Sequence, residues 1–321
     1  MAAGCVIGVD LGGTKLLAGT VDSRLDVHHR AYRLARPDDA QALIDQLVET
    51  IQEALEAATD DVLAVGLGIP CLVEPETGVA LDSNHLPLRG VGVRDLLTER
   101  LGLPVVVDND ANAAMLVEWR LGEARGATDA VMLTLGTGIG GGLIVGGRLV
   151  HGTRGAAAEL GHIMVDADGP PCPGRCPNHG CLEALVSGHA IGAEGLRVAR
   201  GVPESALGRA LAAGRDITGS LVTELAHDGD VAAIDALALI GSWLGVGIAN
   251  LVNMLNPDVV VIGGGVIAAG ELLLEPVRAV VAERALSPAR EHVRIVPARF
   301  GAESGMLGAA ALALEGIGSP V

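Results

Sequence analysis

The segment Gly4-Cys5-Val6-Ile7-Gly8-Val9-Asp10-Leu11-Gly12-Gly13-Thr14-Lys15 ends one apolar run and starts another. Residues 4–11 read as a buried strand, broken by a glycine pair. A second strand is expected at once, at about 15–21, and a third near 27–34. A carboxylate therefore closes the first strand, two glycines make a tight turn, and a hydroxyl follows. Glycine lets the backbone approach phosphate oxygens and present N–H donors to them. Asp10 is of the right type to hold Mg²⁺, directly or through water. An ordinary hairpin turn uses the same residue types. Thr14, not glycine, precedes Lys15, so this is not the Gly-x₄-Gly-Lys-Ser/Thr phosphate loop.

Outward from that turn, helical spacing runs from 38 to 58, with Leu43, Leu47, Ile51 and Leu55 on one face and Asp38 or Asp39 as the N-cap. A buried strand is expected at 62–69, a loop at 70–87, a short helix at 93–101, a strand at 104–107 and a helix from about 111 to 121. The pattern then restarts, with a strand at 130–135, a hairpin about Gly146-Gly147, helices over 183–254 and a strand at 259–262. A helix near 271–285, a last strand at 293–297 and a helix from about 304 to 315 complete it. Strand and helix alternating twice over imply an α/β protein of two lobes. Leu11-Gly12-Gly13-Thr14 and Leu135-Gly136-Thr137-Gly138 both follow a buried strand, a weak internal echo.

Gly136, Gly138 and Gly141 match Gly-x-Gly-x-x-Gly, but a dinucleotide fold needs a helix directly afterwards. Gly142-Leu143-Ile144-Val145-Gly146-Gly147 is a strand and a turn, so an oxidoreductase of that type is excluded. A phosphate-contacting hairpin, with the Thr137 hydroxyl near the terminal phosphate, fits better. Asp108-Asn109-Asp110-Ala111-Asn112 ends a strand and opens a helix, where ligands bind in α/β folds. Helix capping accounts for one such residue, not four polar residues in five. Asp110 is the candidate general base for a substrate hydroxyl.

His162, Cys172, Cys176 and Cys181 offer one imidazole and three thiolates, the donor set of a closed, structural Zn²⁺ site. The prolines at 170, 171, 173 and 177 preclude a regular element there, so a metal would organise the loop. His179 is a rival ligand. Glu159 and Glu183 flank the loop as candidate acceptors for sugar hydroxyls. No Gly-x-Ser-x-Gly occurs, so an α/β-hydrolase would lack its nucleophile.

Composition limits the partners. The 321 residues carry 39 Asp+Glu against 22 Lys+Arg, a net charge of −17, which argues against nucleic acid. Half of the residues are hydrophobic, so a sizeable core is expected and disorder is not. Aromatic residues make up 1%, too few for base-stacking platforms. Five cysteines with three inside ten residues are no disulfide framework, and they suggest a cytoplasmic protein with one metal site. No secretion signal is read at the N-terminus. The uncharged run 236–257 is long enough to span a membrane, but its asparagines and glycines favour a buried helix, and no membrane partner is expected.

Together these residues resemble the ROK family of repressors and sugar kinases, and within it the bacterial glucokinases. The resemblance covers nearly the whole chain, through 10–15, 108–112, 134–142, Glu159-Leu160-Gly161-His162, the cysteine cluster and Gly263-Gly264-Gly265. It implies a two-lobed, actin-like ATPase fold of hexokinase and ribonuclease H type. The smaller lobe is expected at 1–113 plus 303–321, and the larger, with the zinc loop, at 114–302. It implies ATP and Mg²⁺ at Asp10, Gly12, Gly13, Thr14, Lys15, Thr137, Gly138, Gly263, Gly264 and Gly265. It implies Asp110 as the base and sugar contacts from Asn84, Asn109, Asp110, Glu159, His162 and Glu183. It implies Zn²⁺ at His162, Cys172, Cys176 and Cys181, and a homodimer or homotetramer.

Family repressors carry a DNA-binding domain ahead of the kinase-like part, and the strand expected by residue 5 leaves no place for one. A kinase for another hexose, such as N-acetylmannosamine or fructose, a polyphosphate-using enzyme and a non-catalytic sugar sensor share these motifs. The chain departs from the family at Cys172-Pro-Gly-Arg-Cys176, two residues longer than the usual Cys-x-Cys. It also has Pro177 and Cys71 where glycine is usual, and no aromatic after Leu86-Pro87.

Overall fold

A computed structural model describes residues 4–35, 39–83 and 86–318. The chain forms two compact units, the first made of 1–126, 142–158 and 302–321 and the second of 127–141 and 159–301.

Unit 1 begins with β1 (Gly4–Leu11), β2 (Lys15–Val21) and β3 (Val27–Leu34), followed by α1 (Ala40–Glu56) and β4 (Asp61–Ile69). Two short strands, β5 (Leu72–Val73) and β6 (Ala80–Asp82), lead to α2 (Val93–Leu101), β7 (Val105–Asn109) and α3 (Asp110–Leu121). Five of these strands form one sheet in the order β3-β2-β1-β4-β7, with β1, β4 and β7 parallel. The expected Asp39 cap is present: its carboxylate accepts the Ala42 N–H at 2.8 Å. The apolar face of α1 buries Leu43, Leu47 and Ile51 completely. Each such side chain contributes ~1.5–3 kcal/mol by leaving water.

In unit 2, β8 (Ala130–Leu135) leads into β9 (Ile139–Val145), and β10 (Arg148–Leu149) folds back on β9. Residues from 142 to 158 count with unit 1. The helices of unit 2 are α4 (Leu182–Val186), α5 (Gly188–Gly201), α6 (Ala206–Ala212), α7 (Gly219–His227) and α8 (Val231–Leu255). Then come β11 (Val259–Gly263), α9 (Glu271–Arg284), α10 (Ala289–His292) and β12 (Arg294–Pro297). The second sheet runs β10-β9-β8-β11-β12. Among the described residues, α8 is the one helix long and apolar enough to cross a membrane. It instead packs along α9, where a Cβ on Gly241 would lie 2.6 Å from the Leu273 carbonyl oxygen.

The chain returns to unit 1 with α11 (Ser304–Gly316), which lies directly on β1 and β4. A Cβ on Gly8 would sit 2.1 Å from the Met306 carbonyl oxygen, and one on Gly66 1.7 Å from that of Ala309. Only glycine lets helix backbone approach strand backbone this closely.

The first compact unit runs on to Gly126, past the 113/114 lobe boundary expected from sequence. A cut at 113 would divide α3, whose Met115 packs on Gly142 so tightly that a Cβ there would be 2.5 Å from Met115 Cβ. That contact ties 142–158 to the first unit as well.

Candidate active site

In unit 1, Asp10 is the penultimate residue of β1, and the turn after it closes through the Gly12 N–H donating to the Lys15 carbonyl at 2.7 Å. Gly13, Thr14 and Lys15 are exposed. The Asp10 carboxylate faces α11 at Gly305, where a Cβ would stand 2.5 Å from the carboxyl carbon. Burial pushes the Asp10 carboxyl up to about 7, the Asp110 charge adds to the rise, and Lys15 opposes it. Two carboxylates held together in this way suit a divalent cation.

Asp108, Asn109 and Asp110 carry the end of β7 into α3. The Asn109 side-chain oxygen caps α3, accepting the N–H of Ala111 at 2.9 Å and of Asn112 at 3.2 Å, while its amide donates to the Cys71 carbonyl at 3.2 Å. Asp110 Oδ1 also accepts the Ala111 N–H, at 2.9 Å. Asp108 is buried, and its Oδ1 accepts from the Asn109 N–H at 2.7 Å and from Asn112 Nδ2 at 3.0 Å. Its Oδ2 lies 2.6 Å from His151 Nε2. Sequence reasoning did not single out His151; a lone histidine after a two-residue strand carries no pattern. Asn84 lies outside the described residues, and beside it Ser83 Oγ donates to the Pro70 carbonyl at 2.8 Å.

In unit 2, the Gly136 N–H donates to the Gly138 carbonyl at 2.9 Å, which turns β8 into β9. Thr137 is exposed at that turn. Glu183, in the first turn of α4, accepts the Ile139 N–H on Oε2 at 2.7 Å. Gly264 has φ 83°, and a Cβ on it would lie 2.3 Å from the Leu135 carbonyl oxygen, so the 263–265 segment rests against the end of β8. Two of the glycine segments expected at the nucleotide, at 136–138 and 263–265, thus lie at adjacent strand ends of one sheet.

His162, Cys172, Cys176 and Cys181 bring one donor atom each to within 4.8 Å of one another. His162 Nδ1 is 3.4 Å from Cys172 Sγ, and Cys176 Sγ is 3.9 Å from Cys181 Sγ. The longer Cys172-to-Cys176 loop does not keep Cys172 out of this cluster. His179 is exposed and outside it. All five cysteines are free thiols. Burial and the neighbouring thiols push Cys172 up. Three sulfurs and a ring nitrogen at this spacing fit tetrahedral zinc. Glu159, half-exposed, lies 3.9 Å from His162 Nε2. Partial burial pushes its carboxyl up, His162 pulls it down and the Glu183 charge adds to the rise.

The chain matches the ROK family over residues 6–316. It belongs to that family. The glucokinase of Streptomyces coelicolor is 33% identical over 318 residues, 97% of this chain and 98% of that protein. The crystal structure of a ROK family glucokinase from Streptomyces griseus, in complex with glucose and AMPPNP, superposes with a TM-score of 0.86 at 36% identity, covering 97% of this chain and 99% of that one. The xylose repressor of Caldicellulosiruptor bescii is 29% identical over 97% of this ROK chain and 78% of its own length. The fold is the mixed α/β, actin-like ATPase fold that the family resemblance implies.

Proposed function

We propose that this ROK chain transfers a phosphoryl group from ATP to a hexose, glucose before others, to give glucose 6-phosphate. The observation that carries the proposal is the Asp108–Asn112 turn. Asp110 opens α3 at the end of β7, on a turn held by hydrogen bonds, and its charge reaches the Asp10 carboxylate near the end of β1 in the same sheet. In the proposed reaction, Asp110 accepts the proton of the attacking hydroxyl, and Asn109 and Asp110 hold the sugar. Glu159, His162 and Glu183 are the proposed contacts from unit 2.

Asp10 would hold Mg²⁺, whose charge would offset that of the phosphates. Gly12, Gly13, Thr14 and Lys15, with Thr137 and Gly138, would cradle the phosphates by backbone N–H and hydroxyl donation. Gly263, Gly264 and Gly265 would take the adenosine. Phosphoryl transfer depends mainly on positioning and electrostatic stabilisation, so each group acts by holding reactants in line and excluding water. Zn²⁺ at His162, Cys172, Cys176 and Cys181 would be structural, since four protein ligands leave no open position. A homodimer or homotetramer in the cytoplasm completes the reading.

Sugar-dependent ADP release with Mg²⁺–ATP tests it, across glucose, N-acetylglucosamine, N-acetylmannosamine, mannose and fructose, with polyphosphate as an alternative donor. Turnover that falls ~10²–10⁴-fold in Asp110→Asn is the expected result. Undiminished turnover in that variant removes Asp110 as base. A sugar sensor, suggested by the repressor relative, would bind sugar with no ADP released; the intact Asp110 favours the kinase.

A further inference from the structure

Asp108 is buried at the end of β7, with a residue exposure of 5%. Its two oxygens receive three donors: the Asn109 N–H, the Asn112 amide and the His151 ring. Each donor belongs to the turn around Asp110 except the last. His151 comes from the segment after β10, 43 residues away in sequence, and among the described residues is the one outside group holding the turn through Asp108. The Asn112 amide donates to Asp108 at 3.0 Å, while its own oxygen, buried, has no hydrogen-bond partner among the described residues. Asp108 thus ties the Asn109 backbone and the Asn112 side chain to one carboxylate.

We propose that His151 is a positioning residue for Asp110: by holding Asp108 it fixes the turn that presents Asn109 and Asp110 to the sugar. This rests on the kinase reading above. A buried carboxylate with its partner removed is free to protonate or to turn toward water, and either change releases Asn112 and the Asn109 backbone together. The charge set against the ring is Asp108 on β7, which raises the His151 pKa by its hydrogen bond first and by its charge second, against the effect of burial. The charged pair is therefore complete below the ordinary histidine range and is lost as pH rises through the raised value. Above it, neutral imidazole holds Asp108 more weakly.

The test compares wild type with His151→Ala and His151→Gln in full kinetics against pH, together with NMR titration of the ring. A misplaced base costs on the order of 10- to 100-fold, so kcat should fall by that factor in His151→Ala, with the sugar KM raised and the ATP KM unchanged. Glutamine keeps an N–H donor toward Asp108 without the charge. His151→Gln should recover most of kcat and lose the alkaline limb that the wild type shows at the His151 pKa. A merely structural role would lower the active fraction without splitting the two KM values. Should the alanine variant fail to fold, the glutamine variant and the titration decide the matter. The ring should titrate above an ordinary histidine and return toward it in Asp108→Asn. Wild-type kcat and pH profile in His151→Ala, or a ring indifferent to Asp108→Asn, would overturn the proposal alone. A wild type that turns over no sugar would sink the kinase reading instead, and the positioning role with it.

Discussion

Gly138→Ala isolates the link between the β8–β9 turn and α4. A Cβ on Gly138 would stand 2.4 Å from Glu183 Oε2 and 3.2 Å from its carboxyl carbon. That is about 1 Å inside ordinary contact, so the carboxylate must withdraw by about that much. The oxygen that withdraws is the one accepting the Ile139 N–H at 2.7 Å, and a shift of about 1 Å takes that bond beyond hydrogen-bond range. A hydrogen bond to a charged group contributes ~1.5–3 kcal/mol. If the turn cradles phosphate as proposed, ~2 kcal/mol of ordering lost there raises the ATP KM on the order of 30-fold. The sugar KM follows only as far as Glu183 itself moves from the sugar. The assay is a double-mutant cycle of Gly138→Ala with Glu183→Ala, followed by ATP binding and thermal unfolding. The two changes attack one contact, so the double variant should be little worse than Glu183→Ala alone. Full additivity, or a Gly138→Ala protein with unaltered ATP affinity and melting temperature, would refute the argument.

Three further outcomes are expected. Metal analysis should find about one zinc per chain, and Cys181→Ser should lose it and melt at lower temperature, because metal binding is folding free energy in such loops; full metal content in that variant would refute the assignment. Ala158 holds φ 63°, a left-handed conformation that costs an L residue ~1–2 kcal/mol. Ala158→Gly should gain ~0.5–1 kcal/mol after glycine's extra unfolded-state entropy is deducted, seen as a higher denaturation midpoint; a lower midpoint would count against it. Asp10, raised from 3.8 to about 7, contributes stability that is fully present below about pH 4 and lost as pH rises through 7. Without Mg²⁺, Asp10→Asn should therefore be the more stable protein at pH 8, by at most ~4 kcal/mol, with a smaller gain at pH 5 and little kinase activity at either. A variant less stable than wild type at pH 8 would contradict this.

The alternation of strand and helix was legible because most elements carry their own signals. Apolar runs closed by Gly12-Gly13 or by Pro70, and the Asp39 cap, are local chemistry. The glycine run at 136–142 was harder: the strand read from Gly142 begins already at Ile139, and Gly142 also marks close packing on Met115. Glycine allows both, and sequence cannot distinguish a turn from a tight approach. The placing of 142–158 with unit 1 was not legible either, since it shows in long-range contacts such as Gly142 with Met115 and His151 with Asp108. The cysteine cluster was legible from donor types alone. His151 was not, because its partner Asp108 lies 43 residues away and nothing in the spacing joins them.

The position of α11 on β1 and β4 has a consequence for the order in which the protein can be built. Four of the five strands of the first sheet, and the edge strand after them, are already synthesised by Asn109, yet the helix that covers β1 and β4 begins only at Ser304. At typical elongation rates of ~5–20 residues per second, the ribosome needs on the order of 10–40 s to deliver it. For that interval the inner face of the sheet, including the glycines reserved for helix backbone, has no cover from α11. The first unit therefore completes its packing only after the whole of the second unit has been made.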